Sequence, residues 1–337
     1  MTKNVYTRMA VAITNICNQK CTWCFEGSWT RQHPPQFLSL ENFEKLLHWK
    51  DWSTGRIPVI TLYGGEPTLH PNLLEMIDMV NVYNPKISIV LLTNLVCKND
   101  IIQELICRNV KIVANIDQFE AQNNTYNIPL IIKNLEYLNG LPENIKYNIS
   151  VTVSHPQKDF SFLYEILKKG KKHIFNLRIA PSAPGFRFEN EFPKEMNFEL
   201  YKKILEVVTR CKEISPHLTL SGECPANYCI ISEELVQGLE AQGYKLSSYC
   251  GEVGINADIL TDLSSCWCFA FHKIPEMSIE NVFDYSDYDS MISELEAKFM
   301  AFQQKYPITC GKSSCKNKHC AGFCPALNYY QYVVRNV

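Results

Sequence analysis

No stretch of this chain approaches the ~18 consecutive apolar residues of a membrane-spanning helix. Its first residues also lack the basic segment followed by an apolar run that marks a secretory signal. A cytoplasmic location with no membrane partner is therefore expected. Surplus charge is missing too: 33 Lys and Arg stand against 35 Asp and Glu, so no long-range field advertises a nucleic-acid partner. The densest basic run, Lys168-Lys169-Gly170-Lys171-Lys172, reads as a helix end with its glycine stop, where cations suit the dipole. No low-complexity tract is present, and no internal repeat beyond an alternation of strand and helix patterns. Cysteine, by contrast, is plentiful: fifteen among 337 residues. In a reducing compartment these do not read as a disulfide framework, and an odd count in two tight groups points to metal or redox chemistry.

A chain of this length with 46% hydrophobic residues can bury a large core and carry a smaller appended module. Apolar runs rich in Val, Ile and Leu occur at 11–16, 58–63, 87–93, 111–117, 147–153 and 175–180. Helical patterns lie between them. Ser39 is placed to cap a helix over 40–52, Pro71 to open one over 72–83, and Asn99 to cap one over 100–108. Two further helical patterns, 128–139 and 160–169, stop at Gly140 and Gly170. Six such units predict an α/β fold with a parallel sheet, a partial (β/α)6 TIM-like barrel over residues 1–215. After a Pro- and Phe-containing loop at 181–186 and a helix near 197–213, the pattern changes. Residues 216–337 are expected to form a small cysteine-rich α+β domain, too poor in apolar runs to fold on a core alone and stabilised by metal.

The first cysteine group, Cys17, Cys21 and Cys24, falls on the loop after the first strand, the edge where parallel α/β folds gather their active sites. Three thiols are one short of a closed site, and an open coordination position is what a catalytic metal centre needs. A zinc knuckle completed by His33 is the alternative. With Trp23 just before the last cysteine, the spacing Cys-x3-Cys-x2-Cys resembles the signature of the radical S-adenosylmethionine (SAM) superfamily. One βα unit later, Gly64-Gly65-Glu66-Pro67 resembles that family's second motif, where glycine lets the backbone pass close to the cofactor.

The resemblance implies that Cys17, Cys21 and Cys24 hold three irons of a catalytic 4Fe-4S cluster, and that SAM chelates the fourth. One electron then cleaves SAM to methionine and a 5'-deoxyadenosyl radical, which abstracts hydrogen from the substrate, while the protein orients and excludes water. An external electron donor such as a flavodoxin or ferredoxin is implied. Trp23, Gly64, Gly65, Glu66 and Pro67 are expected at the cofactor, and Thr93, Asn94, Asp117, Ser150 and Arg178 near strand ends are candidates for cofactor or substrate contact. Polar residues in such places also cap helices. Asp117 and Tyr63 are positional candidates for an acid or base.

The second group comprises Cys250, Cys266, Cys268, Cys310, Cys315, Cys320 and Cys324. The segment around Cys320 and Cys324 resembles the SPASM extension of peptide-modifying radical enzymes, which carries auxiliary Fe-S clusters. Thr261 stands where that pattern has glycine, and the spacing from Cys310 to Cys324 departs from it. Seven thiols are too few to close two clusters, so one or two auxiliary clusters are expected, the first using Cys250, Cys266 and Cys324, as in a SPASM or twitch-like domain. A structural zinc site from Cys310, Cys315, Cys320 and Cys324, with His319, stays open. Cys97, Cys107 and Cys211 are expected as buried small hydrophobes, and Cys224 and Cys229 are unassigned.

The leading expectation for function is an oxidoreductase that matures a ribosomally made peptide by cross-linking, epimerisation or oxidation. Because sixteen residues precede Cys17, a separate leader-peptide-binding protein or direct recognition would have to select the peptide. The alternatives are a dehydrogenase or rearranging enzyme acting on a small molecule, and a non-enzymatic Fe-S or zinc protein.

Overall fold

The structure is a computed structural model. It describes residues 8–53 apart from 22, 25, 28, 29, 31 and 32, then 58–117, 128–181, 194–225, 231–247, 257–306 apart from 273, and 329. By contact, the chain forms two compact units. The first comprises 1–20, 26–113 and 254–305, and the second 21–25, 114–253 and 306–337.

In the first unit, β1 (Arg8–Thr14), β2 (Val59–Gly64) and β3 (Ser88–Thr93) pair in parallel, with Ala12 opposite Tyr63 and Leu62 opposite Leu91. Connecting them are α1 (Leu40–Trp49) and α2 (Leu73–Tyr83), and α3 (Asn99–Cys107) follows β3. Strand β1 is buried at every position after Arg8, as expected for a strand covered on both faces. Its Met9, Val11 and Ile13 alternate with Ala10 and Ala12, all five buried. Ser39 caps α1 as its sequence suggests, accepting the Asn42 N–H at 3.1 Å. The helix stops at Trp49, short of residue 52, because Lys50 turns to extended backbone. Asn99 does not cap: it is the first residue of α3, and Lys98 precedes it without a side-chain hydrogen bond. Strand β4 (Lys111–Asn115) carries the chain into the second unit.

The second unit holds α4 (Ile128–Asn139), β5 (Tyr147–Val153), α5 (Ser161–Gly170), β6 (Ile174–Pro181), α6 (Lys194–Ile214), β7 (Thr219–Pro225), α7 (Glu233–Ala241) and β8 (Lys245–Ser247). Strands β5 to β8 pair in parallel in sequence order. Strands β7 and β8 extend the parallel alternation beyond the six runs legible in the sequence. The basic run is solvated surface: Lys168 pairs with Glu165 at 2.6 Å and Lys172 with Glu143 at 2.5 Å, all four exposed.

The chain then returns to the first unit. Strand β9 (Asp258–Ile259) pairs in parallel with β1, β10 (Ser265–Cys266) runs antiparallel to β9, and β11 (Ser278–Ile279) antiparallel to β10. Helix α8 (Tyr288–Lys305) buries Tyr288, Met291, Ile292, Leu295, Phe299 and Phe302. The Trp267 ring stacks on Phe299 at 4.2 Å, and the Tyr288 hydroxyl donates to the Arg8 carbonyl at 2.9 Å. No helix of the described residues is long and apolar enough to cross a membrane.

Candidate active site

Three loops follow the carboxyl ends of β1, β2 and β3, and hydrogen bonds lock them to one another. The chain leaving β1 is fixed first. Asn15 donates its amide to the Pro34 carbonyl at 2.8 Å and accepts the Gln36 N–H at 2.7 Å, and the Ile16 N–H meets Thr14 Oγ1 at 3.0 Å. Cys17 follows, half-buried, its sulfur 3.4 Å from the Gln19 nitrogen. Asn18 is a residue sequence reasoning missed. Its amide donates to the Val96 carbonyl at 2.8 Å and its oxygen accepts from Asn94 at 2.9 Å, tying the cysteine loop to the loop after β3.

The glycine pair makes the second connection. Gly64 sits at φ +135°, and a Cβ there would come within 2.0 Å of the Thr14 carbonyl oxygen. A Cβ on Gly65 would come within 2.3 Å of the Ile16 oxygen. The Gly65 and Glu66 N–H groups donate to Thr14 and Ile16 carbonyls at 2.8 and 2.7 Å. The glycines therefore allow two backbones to touch, and one of those backbones leads directly to Cys17.

Glu66 makes the third connection. Buried to 1% exposure, its Oε1 accepts from the Thr68 N–H at 3.1 Å and from the Thr68 and Thr93 hydroxyls, each at 2.7 Å, while Oε2 accepts the Asn94 N–H at 2.7 Å. Burial pushes its pKa up, and these hydrogen bonds oppose the shift. The carboxylate thus spans the ends of β2 and β3. Thr93 and Asn94 are buried in the same lattice, and Thr93 also accepts the Leu95 N–H at 3.1 Å. Leu95 adopts φ +59°, a left-handed conformation costing about 1–2 kcal/mol that such a lattice can hold. Pro67 opens a buried 3-10 turn through Leu69.

A buried acidic group lies elsewhere in the same unit. Burial first, then Asp258, pushes the Glu26 carboxyl pKa well up. The Tyr63 phenol is pushed well up by burial and by the charges of Asp258, Glu26 and Cys266, and its hydroxyl makes no hydrogen bond of good geometry among the described residues. Cys266 pairs with Asp258 across β9 and β10 and is 1% exposed, its thiol pKa raised by burial and then by Asp258 and Asp262. Cys268 is half-buried, its sulfur 3.4 Å from the Ala270 nitrogen.

In the second unit, Cys21, Trp23 and Cys24 share a turn closed by the Cys24 N–H on the Cys21 carbonyl at 3.3 Å, with both thiols half-buried. The Lys158 ammonium lies 5.2 Å from the Trp23 ring centroid. Asp117, at the end of β4, accepts the Thr152 N–H at 2.5 Å and lies 3.3 Å from the same ammonium. Ser150 and Arg178 face each other in the β5–β6 register, 3.1 Å apart, so they pair with one another. A cavity of about 630 Å3 is lined by residues including Trp23, Ser154, His155, Lys158, Ser161 and Phe162.

Cys250, Cys310, Cys315, Cys320 and Cys324, with His319 and Cys229, lie outside the described residues. Among the described residues no three His, Cys, Asp or Glu side chains converge to hold a single metal ion. A cluster, whose irons each take one thiolate, requires no such convergence. Three half-buried thiols in one short loop, with the backbone of that loop fixed on its Cys17 side, fit such a group. Of the three cysteines expected as buried hydrophobes, Cys97 and Cys211 are buried and Cys107 is exposed at the end of α3, where its helix faces solvent.

Residues 11–118 match the sequence profile of the Radical SAM superfamily. The GTP 3',8-cyclase of Clostridium perfringens (strain SM101 / Type A) is 23% identical over 280 residues, covering 79% of this chain and 76% of that protein. The GTP 3',8-cyclase of Actinobacillus pleuropneumoniae serotype 3 (strain JL03) is 31% identical over 91 residues, 26% of each chain. Streptococcus suis SuiB bound to S-adenosylmethionine superposes with a TM-score of 0.67 at 15% identity, covering 97% of this chain and 74% of that one. SuiB has also been solved bound to the precursor peptide SuiA. The protein anSMEcpe with bound AdoMet gives 0.67 at 16% identity over 97% of this chain and 91% of that one, and it has been solved with the Cp18Cys peptide. These likenesses show a shared fold.

Proposed function

This chain belongs to the radical SAM superfamily, and from that premise we propose that it modifies a ribosomally made peptide, with Cys17, Cys21 and Cys24 holding the catalytic cluster. Membership of the family implies a 4Fe-4S cluster and SAM, which when bound supply one-electron cleavage of SAM and a radical able to abstract hydrogen from an unactivated C–H bond. The observation that carries the reading is the loop lattice. The Gly64-Gly65 close approach fixes the backbone entering Cys17, the Glu66 carboxylate joins the next two strand ends, and Asn18 fastens the cysteine loop to the third. Such a lattice fixes the backbone on the Cys17 side of the cysteine loop before any cofactor arrives, which is what preorganisation demands.

This chain's own residues serve positioning and exclusion in that scheme. Trp23 lies within the turn between Cys21 and Cys24, its ring centroid 5.2 Å from the Lys158 ammonium, and the buried Glu66, Thr93 and Asn94 brace the strand ends beside the loop that carries Cys17. Cys266, with Cys250 and Cys324, would hold an auxiliary cluster in a SPASM or twitch-like tail, a module that would lie within residues 216–337 beyond the parallel strands β7 and β8. A flavodoxin or ferredoxin would supply electrons. A peptide substrate is favoured by the seven C-terminal thiols and by the fold held in common with SuiB and anSMEcpe, both solved with peptides.

A second reading is a nucleotide or other small-molecule substrate, favoured by a similarity to a GTP 3',8-cyclase running through 280 residues. The deciding experiment supplies reconstituted, reduced protein with SAM and, separately, GTP or any short peptide found to be encoded beside its gene. A peptide whose mass changes as 5'-deoxyadenosine accumulates supports the first reading. Consumption of GTP in step with 5'-deoxyadenosine, with every peptide inert, overturns it.

A further inference from the structure

We propose that Lys158 is a positioning residue that clamps the segment carrying Cys21 and Cys24 to the ends of β4 and β5. The side chain is 0% exposed, an unusual place for an ammonium, whose desolvation is costly unless it is compensated. Compensation is built around it: the Thr152 carbonyl accepts at 2.7 Å, the Asp117 carboxylate lies at 3.3 Å, and the Trp23 and Phe160 rings lie at 5.2 Å each. Asp117 also accepts the Thr152 N–H. The Lys158 loop folds back on itself, its own N–H meeting the His155 carbonyl at 3.1 Å. One cation therefore joins three segments distant in sequence: the end of β4, the end of β5 and the turn at 21–24.

Trp23 is the contact that gives this arrangement a function. It stands one residue from Cys24 and two from Cys21, so whatever holds the indole sets the direction in which both thiols leave the backbone. A cation over an aromatic face is attracted by the ring quadrupole, and the attraction strengthens where water is excluded. The sequence marks this lysine only as the end of a His155-Pro156-Gln157-Lys158 loop after β5, which reads as ordinary surface. The inference rests on the proposed function only in taking Cys21 and Cys24 as cluster ligands.

The test uses the full chain with Lys158→Met and Lys158→Arg, each in the wild-type and the Trp23→Phe background. Subtracting the Trp23→Phe emission spectrum isolates the Trp23 signal, which is read on metal-free protein. Lys158→Met is expected to shift that signal to the red and raise its quenching by acrylamide. It should also weaken iron and sulfide uptake on reconstitution by about thirtyfold, the scale of a desolvated cation–π contact. Lys158→Arg, which keeps charge and stacking, should restore both. An unchanged Trp23 signal accompanied by a lower melting temperature would overturn the clamp and leave Lys158 a plain buried ion pair. Should Lys158→Met fail to fold, Asp117→Asn with Lys158→Met leaves no unpaired charge and gives the same readout. If the wild-type chain takes up no iron and sulfide, the cluster assignment fails, yet the Trp23 signal still decides the clamp.

Discussion

Gly65→Ala tests whether the glycine pair serves the protein's own backbone. The new Cβ would lie 2.3 Å from the Ile16 oxygen, whereas real Cβ contacts essentially never fall below 3.0 Å, so the two loops must part by at least 0.7 Å (3.0 minus 2.3). The Gly65–Thr14 and Glu66–Ile16 hydrogen bonds, at 2.8 and 2.7 Å, would stretch to the edge of useful geometry, each contributing about 1 kcal/mol. Overpacking against backbone adds about 1–3 kcal/mol, and the lower entropy of an unfolded alanine returns about 0.4–1 kcal/mol. A net loss of about 2–5 kcal/mol follows. The assay is denaturant unfolding of metal-free protein, read as a lower midpoint at unchanged slope, with iron uptake measured in parallel. If glycine were needed only to make room for a cofactor, metal-free Gly65→Ala would be as stable as wild type or slightly more so. That result would refute the reasoning.

Further perturbations probe other parts of the structure. Glu66→Gln turns an amide N–H toward a donor in either orientation, since Oε1 and Oε2 both accept. A loss of about 2–4 kcal/mol is expected from the broken charge-assisted bonds and the buried clash, and a midpoint shift equivalent to less than about 0.5 kcal/mol would contradict it. Lys50 is buried under Tyr288, 4.0 Å from that ring centroid, and burial lowers its pKa from 10.5 to about 8. The unfolded chain then holds this proton more tightly, so the cost of burying the charge is fully present at pH 7 and is relieved as pH rises from about 8 to 10.5. Lys50→Met should be most stabilising at pH 7, its advantage shrinking by up to about 3 kcal/mol by pH 10.5; melting temperatures that move in parallel across that range would contradict it. A thiol probe on folded, metal-free protein should modify exposed Cys107 rapidly and spare Cys97 and Cys211, whose pKa values burial pushes up to about 12. Mass mapping of the labelled peptides reads the outcome.

The parallel alternation was legible in the sequence because strands covered on both faces read as continuous apolar runs, as β1 does; 87–93 reads the same way, although its Ser88, Val90 and Leu92 are only half-buried. Strands β7 and β8 escaped notice for the opposite reason: Thr219–Pro225 is interrupted by Gly222 and Glu223, and Lys245–Ser247 is three residues long. Boundaries were less legible than elements. Asn99 looks like a cap, yet it lies inside α3, where its oxygen accepts from Gln103 at 2.8 Å. The Gly64-Gly65-Glu66-Pro67 motif could be found by spacing, but the reason for each residue could not. A glycine that lets two backbones touch and a carboxylate that joins two strand ends depend on contacts between segments some thirty to fifty residues apart, which no local pattern encodes. Asn18 and Lys158 were missed on the same ground, because each acts through partners far along the chain.

Reductive cleavage of SAM by anaerobically reconstituted protein tests the central claim most directly, comparing wild type with the triple variant in which Cys17, Cys21 and Cys24 are each changed to Ala. Reduced wild type should yield 5'-deoxyadenosine and the variant none. Zinc without sulfide in the wild type, or undiminished cleavage by the variant, would contradict it.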